Sequence, residues 1–164
     1  MKRHPALREL SSDHHQGLVH ARSLVKAADS GQDVEQTARD FLAFWREHTT
    51  RHFREEEEVL LPAYARYADP SDPAAVRVLV DHVHIRRHTA DLDRQLAEGE
   101  PSVDTMRRIG EMLRAHIRHE EDVLFPMIEQ ALPEPELAAL PALMGHVQGG
   151  AAAGEGDAPD MELT

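Results

Sequence analysis

The chain contains two His-x-x-x-Glu units, His52 with Glu56 and His116 with Glu120. The stretches around them, "HFREEEEVLLP" and "HIRHEEDVLFP", align without a gap 64 residues apart. Residues four apart lie on one face of a helix, so each unit can present both side chains to one ion. Imidazole and carboxylate together suit iron, manganese or zinc. The repeat therefore predicts one metal-binding element that is built twice.

Four helices must position these residues, because helical periodicity is strong in four segments and strand periodicity is nearly absent. The predicted helices run from Ser11 or earlier to Ala28, from about Val34 to Tyr67 with a bend at Pro62, from about Pro73 to Ala97 after the N-cap Asp72, and from near the N-cap Ser102 to about Ala131 with a kink at Pro126. Short loops between them predict an all-α, up-down-up-down antiparallel four-helix bundle over residues 1–146. A short C-terminal helix in "PEPELAALPALMGH" and a disordered tail over residues 147–164 complete the predicted layout.

The apolar stripes of these helices carry six side chains that could bind a metal. They are His14, His52, His82 and His116, one from each helix, together with Glu56 and Glu120. The third stripe, which His82 joins, begins at Leu79. His15 is turned about 100° from His14 on an ideal helix, and it is the alternative candidate from the first helix.

The two inward glutamates need a positive partner. An ionised carboxylate on an apolar stripe is costly unless it is paired or bound to a metal. No Lys or Arg lies on the stripe beside Glu56 or Glu120, so the sequence predicts that a cation comes from outside the chain. Glu57 and Glu58, in contrast, are expected to point mostly to solvent.

Four other histidines are expected to stay away from the metal. His84 and His88 have the His-x-x-x-His spacing of a metal motif, but their helix face is polar along its length, so we expect both to be exposed. His20 and His48 are expected to be ordinary hydrogen-bonded histidines of the core.

Composition limits the classes of function. The chain has 164 residues, enough for one domain, and a formal net charge of -12, which argues against nucleic acid and anionic membranes as partners. It has no cysteine, so disulfides, thiolate catalysis and iron–sulfur clusters are excluded. No apolar run is long enough for a membrane span and the N-terminus lacks a signal-peptide pattern. We therefore expect a cytoplasmic protein.

The two repeated stretches, with "DHHQGLVHARSL" before the first and "DHVHIRRH" between them, resemble the hemerythrin-like, HHE cation-binding domains. The resemblance covers about Leu7 to Gln130 and implies an up-down four-helix bundle with a non-haem di-iron centre. It implies as ligands His52 and Glu56 from the second helix, His82 from the third, and His116 and Glu120 from the fourth.

The resemblance leaves two points open: which histidine of the first helix is the ligand, and which subtype of the family the chain matches. The apolar stripe favours His14, whereas the family's His-x-x-Leu spacing favours His15 with Leu18. Oxygen-carrying hemerythrins have His-x-x-x-His on the third helix, but here Arg86 follows His82 by four residues. Glu121 could serve as a later acid, although Glu120 matches the internal repeat. The ligand balance resembles the iron- and oxygen-responsive members of the family.

The resulting hypothesis is a protein with two iron ions, bridged by Glu56 and Glu120 and held by four histidines, with manganese or zinc as other possible metals. It would bind or sense O2, peroxide or nitric oxide, or respond to iron. One alternative is a ferritin-like di-iron oxidase or peroxide-decomposing enzyme, and the other is a metal-free interaction bundle. Enzymatic activity is left open, and no protein partner is predicted.

Overall fold

The computed structural model describes residues 3–147, and the described residues are helical with no strand. A 3₁₀-helix at Pro5–Leu7 precedes the α-helices, which are α1 (Arg8–Ser30), α2 (Val34–Phe44), α3 (Thr50–Glu55), α4 (Leu61–Ala65), α5 (Pro73–Ala97), α6 (Val103–His119), α7 (Phe125–Ala131) and α8 (Glu134–Met144). The predicted all-α class and the short C-terminal helix are confirmed. The tail predicted over residues 147–164 lies, except for Val147, outside the described residues.

Three π-helical segments join the shorter helices into longer ones. Trp45–Thr49 and Glu56–Leu60 connect α2, α3 and α4 into the second long helix, residues 34–65. Glu120–Leu124 connects α6 and α7 into the fourth long helix, residues 103–131. With α1 and α5 as the first and third, the four predicted long helices are present, with ends within three residues of prediction.

Two of these π-helical turns begin at the two repeated glutamates. The amide of Leu61 bonds to the carbonyl of Glu56, and that of Phe125 bonds to Glu120, each five residues back. Pro62 and Pro126 each stand two residues after the last residue of a turn, and a proline has no N–H for the regular i→i−4 bond. The wider π turn accommodates this loss. A π turn that starts at a repeated carboxylate therefore precedes each proline at which the sequence predicts a bend.

Helix ends agree with their capping residues. The side chain of Asp72 accepts a hydrogen bond from Ala74 N–H before α5, and Ser102 accepts one from Thr105 N–H before α6. α1 ends at Gly31, whose φ of 67° is in the left-handed region that glycine adopts at low cost. These caps mark the helix ends at the short loops that join the long helices.

Contacts between the long helices pair residues in opposite order. His14 near the start of α1 contacts Glu121, and Arg107 donates to the carbonyl of Ala28 near the end of α1. Residue numbers therefore rise along α1 as they fall along the fourth long helix. Among residues 3–147, no helix has the length and apolar character that a membrane crossing requires.

Two buried apolar clusters fill the bundle. The first includes Leu10, Leu60 and Phe125 and is covered by Leu137 and Leu140 of α8. The second contains fifteen buried residues from α1, the second long helix, α5 and the fourth long helix. Along each long helix, the candidate metal ligands lie where one cluster gives way to the other.

One predicted core residue is wrong. Leu79 is 43% exposed, whereas its neighbour Val78 is fully buried. The stripe instead passes through Val78, one residue before the predicted position, and the buried residues of α5 are Ala75, Val78, His82, Ile85, Thr89 and Leu92. Leu79 instead belongs to an exposed apolar strip that includes Val80 and Val83.

Close approach of α1 and α6 depends on Gly110. A Cβ there would lie 2.6 Å from the backbone oxygen of Ala21 and 2.8 Å from Cγ2 of Val25. Because a backbone atom cannot move aside without shifting its helix, Gly110→Ala is expected to lower the free energy of unfolding by about 1–3 kcal/mol. Glu111→Ala, at the exposed neighbouring position, should change it by about 0.5 kcal/mol at most. Equal stability of the two variants in denaturant unfolding would contradict this packing argument.

Candidate metal centre

Six buried histidines and glutamates meet in the middle of the bundle. Each is at most 5% exposed, and Glu56, Glu120 and His82 are fully buried. They are His14 of α1, His52 of α3, Glu56 and Glu120 of the two π turns, His82 of α5 and His116 of α6. All four long helices thus contribute to one polar cluster, as the apolar stripes predicted.

The six side chains form two overlapping groups of possible metal ligands. One group is His14, His52, Glu56 and Glu120, and the other is His82, His116 and the same two glutamates. Within each group the ligand atoms all lie within 4.8 Å of one another. Two ions could therefore bind side by side and share both carboxylates.

The Nε2 atoms of the histidines face the shared carboxylates. In the first group, His14 Nε2 lies 3.0 Å from His52 Nε2 and 3.1 Å from Glu120 Oε2, and His52 Nε2 lies 3.3 Å from Glu56 Oε1. In the second group, His82 Nε2 lies 3.2 Å from Glu56 Oε2, and His116 Nε2 lies 3.2 Å from Glu120 Oε1. Nitrogen and oxygen donors thus converge on two small spaces.

Several donor atoms at the centre lack hydrogen bonds. Both carboxylate oxygens of Glu56 and of Glu120, and Nε2 of His82 and of His116, are buried without a hydrogen-bond partner among the described residues. A buried carboxylate oxygen without a hydrogen bond is costly, and metal ions commonly bind such oxygens. The chemistry of this donor set fits divalent transition metals.

A second layer of carboxylates lies behind the histidines. Glu57 accepts a hydrogen bond from His82 Nδ1 at 2.7 Å, and Glu121 accepts one from His14 Nδ1 at 2.6 Å. A carboxylate on Nδ1 fixes the ring orientation and leaves Nε2 free to bind a metal. The residue that follows each central glutamate therefore supports the histidine of a neighbouring helix.

Two aspartates complete this layer at longer range. Asp13 Oδ2 lies 3.4 Å from His52 Nδ1, and Asp81 Oδ2 lies 3.6 Å from His116 Nδ1, the latter beyond ordinary hydrogen-bond distance. All four histidines thus have a carboxylate on the side away from the centre. Sequence reasoning missed this layer, although the repeated Asp-His and Glu-Glu pairs were its signal.

The predicted solvent exposure of Glu57 is wrong. Its side chain is 25% exposed, and Arg86 donates to its two oxygens at 2.6 and 3.1 Å. Burial would raise the pKa of Glu57, but the hydrogen bonds from His82 and Arg86 outweigh burial and hold it at about 2. Glu58, as predicted, lies on the surface, where it pairs with Arg54.

Glu121 has the same role in the other half of the bundle. Arg3 donates to its Oε2 at 2.8 Å, and burial, which would raise the pKa of Glu121, is outweighed mainly by the hydrogen bonds from His14 and Arg3, so that the pKa is about 2. Both supporting carboxylates therefore stay charged at neutral pH.

Protons compensate the central charges when no ion is bound. Burial would lower the pKa of His52, but the charge of Glu56 and the hydrogen bond to Asp13 outweigh it and raise that pKa well above 6.5. Burial would raise the pKa of Glu56, but His52 and His82 hold it well below 4.5. A metal must therefore displace protons from the histidines in order to bind.

The other predicted histidines lie outside the cluster. His15, the alternative first-helix ligand, is exposed, because it is one residue round the helix from the buried His14. His84 is exposed and His88 is partly exposed. The prediction that His48 belongs to the core is wrong, since its side chain is 58% exposed and Thr49 takes the inward position in the π turn. His20 is partly buried and stacks on Phe44.

The metal-free protein is expected to be most stable at mildly acidic pH. The raised pKa of His52 gives stability that is complete below 6.5 and is lost as pH rises through the higher folded value. The lowered pKa of Glu56 gives stability that is complete above 4.5 and is lost as pH falls through the lower folded value. Denaturant unfolding with a chelator should therefore give a maximum between these two values. His52→Asn should weaken the decline at alkaline pH, whereas His15→Asn should leave it, and identical profiles would contradict the assignment.

Glu57→Gln is expected to weaken metal binding about 10- to 100-fold, because the neutral amide orients His82 less strongly and loses the ion pair with Arg86. Competition with a chelator of known affinity measures the change. Glu58→Gln is the matched control, since it removes the same charge one residue away on the surface, and it should bind metal like the wild type. Equal affinity of the two variants would show that the carboxylate behind His82 has no influence on the metal.

Comparison with known proteins agrees with this geometry. The family model for the hemerythrin HHE cation-binding domain matches residues 6–128, which is most of the chain and includes all six central side chains. Neither the search of curated proteins nor the search of solved structures gives a match. The match of the family model, over more than half of the sequence, establishes that this chain belongs to the hemerythrin HHE cation-binding domain family.

Proposed function

We propose that this protein is a non-haem di-iron protein that binds O2, peroxide or nitric oxide. The observation that supports this most directly is that Glu56 and Glu120 belong to both groups of candidate ligands. A carboxylate has two oxygens and can give one to each of two ions. Each ion would share both glutamates and take two histidines of its own, His14 and His52 for one and His82 and His116 for the other.

The proposed topology is the up-down-up-down four-helix bundle. The opposite order of paired residues supports it between α1 and the fourth long helix. Residues of the second long helix and α5 also pair in opposite order, since Arg46 contacts Asp93 whereas Glu57 contacts His82. Such a bundle supplies inward side chains from all four helices at one level.

The ligand set supports iron and a role in binding small molecules. Two histidines and two shared carboxylates give each ion four protein ligands, and iron commonly takes more, so positions remain for an added ligand. An iron pair supplies direct binding of O2, peroxide or nitric oxide, and the role of the chain is to hold the ions and exclude bulk water. Sensing, storage or detoxification of these molecules, or a response to iron, would follow from that chemistry. Manganese and zinc accept the same ligands, so metal analysis decides between them.

The two alternatives have less support. Ferritin-like di-iron oxidases use Glu-x-x-His pairs, and no histidine in this sequence follows a glutamate by three residues. A metal-free bundle would keep Glu56 and Glu120 opposite protonated histidines, but their buried oxygens would still lack hydrogen bonds of ordinary geometry. The cytoplasmic location and the absence of a nucleic-acid partner remain predictions from composition.

We expect two metal ions per chain, predominantly iron, in protein produced with adequate iron. Elemental analysis of the purified protein measures the ratio, and absorption spectra before and after addition of O2, peroxide or nitric oxide test ligand binding. His82→Ala should lower the metal content, and His84→Ala, which removes an exposed histidine from the same helix, should keep it. Consistently one ion per chain, or no transition metal, would refute the proposal. Equal loss from both variants would refute the assignment of His82.

A further inference from the structure

A small cavity lies beside the candidate ligands. Its volume is about 20 Å³, and its wall includes His14, His52 and Glu120. A cavity needs roughly 10–15 Å³ to hold one water molecule, so only a ligand of a few atoms fits here. The exposed His48 also lines the cavity, so its outer end reaches the protein surface.

Thr49 gives this cavity a hydroxyl group. Thr49 lines the cavity and is 6% exposed, and its Oγ1 atom is buried without a hydrogen-bond partner among the described residues. A buried hydroxyl is unfavourable when its hydrogen bond is not made. His52 follows Thr49 by one helical turn, so the hydroxyl and the candidate ligand lie on the same side of their helix. A hydroxyl that has no partner and belongs to a lining residue can donate its hydrogen bond to a molecule held in the cavity.

The backbone around Thr49 differs between the two halves of the repeat. Thr49 is the last residue of the π turn Trp45–Thr49, in which the amide of Thr50 bonds to the carbonyl of Trp45. The equivalent segment 64 residues later is regular α-helix within α6, and it has Leu113 in place of the threonine. Leu113 also lines the cavity, as an apolar wall. π turns inside α-helices are frequent at functional sites, and this one belongs to a single half.

We propose that Thr49 determines ligand specificity at this centre: its hydroxyl donates a hydrogen bond to a small anionic ligand, such as peroxide or azide, held in the cavity. The proposal rests on the proposed di-iron function. A hydrogen bond to a charged acceptor is stronger than one to a neutral acceptor, so anions gain more from Thr49 than neutral nitric oxide does. Thr49 is thus a specificity residue and not a metal ligand.

Azide binding to the oxidised iron-loaded protein tests the proposal. Thr49→Val keeps the shape and removes the hydroxyl, and it should weaken azide binding about 10- to 100-fold, as loss of a hydrogen bond to a charged group does. Thr49→Ser keeps the hydroxyl and should bind azide nearly as tightly as the wild type. Nitric oxide binding to the reduced protein should change much less in Thr49→Val. Titration followed by absorption or calorimetry measures each dissociation constant.

Thr89 provides the matched control. It is 2% exposed and its Oγ1 also lacks a hydrogen-bond partner among the described residues, but it does not line this cavity. Thr89→Val should therefore bind azide like the wild type. Thermal unfolding of the metal-free variants checks their folding, and Thr49→Ala gives a second hydroxyl-free variant if Thr49→Val is poorly folded.

The outcomes separate the two levels of inference. Unchanged azide affinity in a folded, iron-loaded Thr49→Val protein overturns the role of Thr49 and leaves the di-iron function intact. Equal weakening of azide and nitric oxide also overturns it, because it indicates a reshaped cavity. Equal losses in Thr49→Val and Thr89→Val have the same consequence. Wild-type protein that takes up no iron overturns the di-iron function and the role of Thr49 together.

Discussion

Two fully buried carboxylates with no Lys or Arg beside them are the constraint on which this structure depends. Within residues 3–147, the ion-pair partners of Glu56 and Glu120 are histidines alone. Burying an ionised carboxylate costs several kcal/mol unless other charges compensate it. One histidine from each long helix faces these two side chains, and each histidine in turn has a carboxylate behind it. The helices are therefore held in register by polar contacts as well as by the apolar clusters.

Sequence periodicity could predict the inner residues because burial on a helix repeats every 3.6 residues and the motif occurs twice. It could not predict Glu57. Periodicity divides a helix into inward and outward faces, whereas Glu57 points sideways to His82 and Arg86 of a neighbouring helix. The errors at His48 and Leu79 have a related cause, since they depend on the local winding and exact phase of a helix. A π turn changes that phase. The sequence signals two of the three π turns by the proline that comes after each, and it gives no such signal for the turn Trp45–Thr49.

The internal repeat relates the central glutamates and histidines of the two halves, but the arginines that hold the carboxylates behind the histidines differ between the halves. The guanidinium that holds Glu57 comes from Arg86, four residues after His82 on the same helix. The guanidinium that holds Glu121 comes from Arg3, before the first helix. The π turn Trp45–Thr49 likewise has no equivalent in the second half of the repeat, where the matching segment is α-helical. Two ions with matching ligands would therefore experience different surroundings, and an added small molecule would meet a cavity that is lined differently by each half.

The same side chains can balance charge with or without metal. In the metal-free protein, raised pKa values of His14, His52 and His82 keep protons opposite the central carboxylates. With ions bound, Nε2 of each histidine would be deprotonated, and the Nδ1–H would still donate to the carboxylate behind it. Exchange of protons for metal would then require little rearrangement of the bundle. A scaffold of this kind keeps its donors in position while the ions arrive, so the order of the site does not depend on the metal alone.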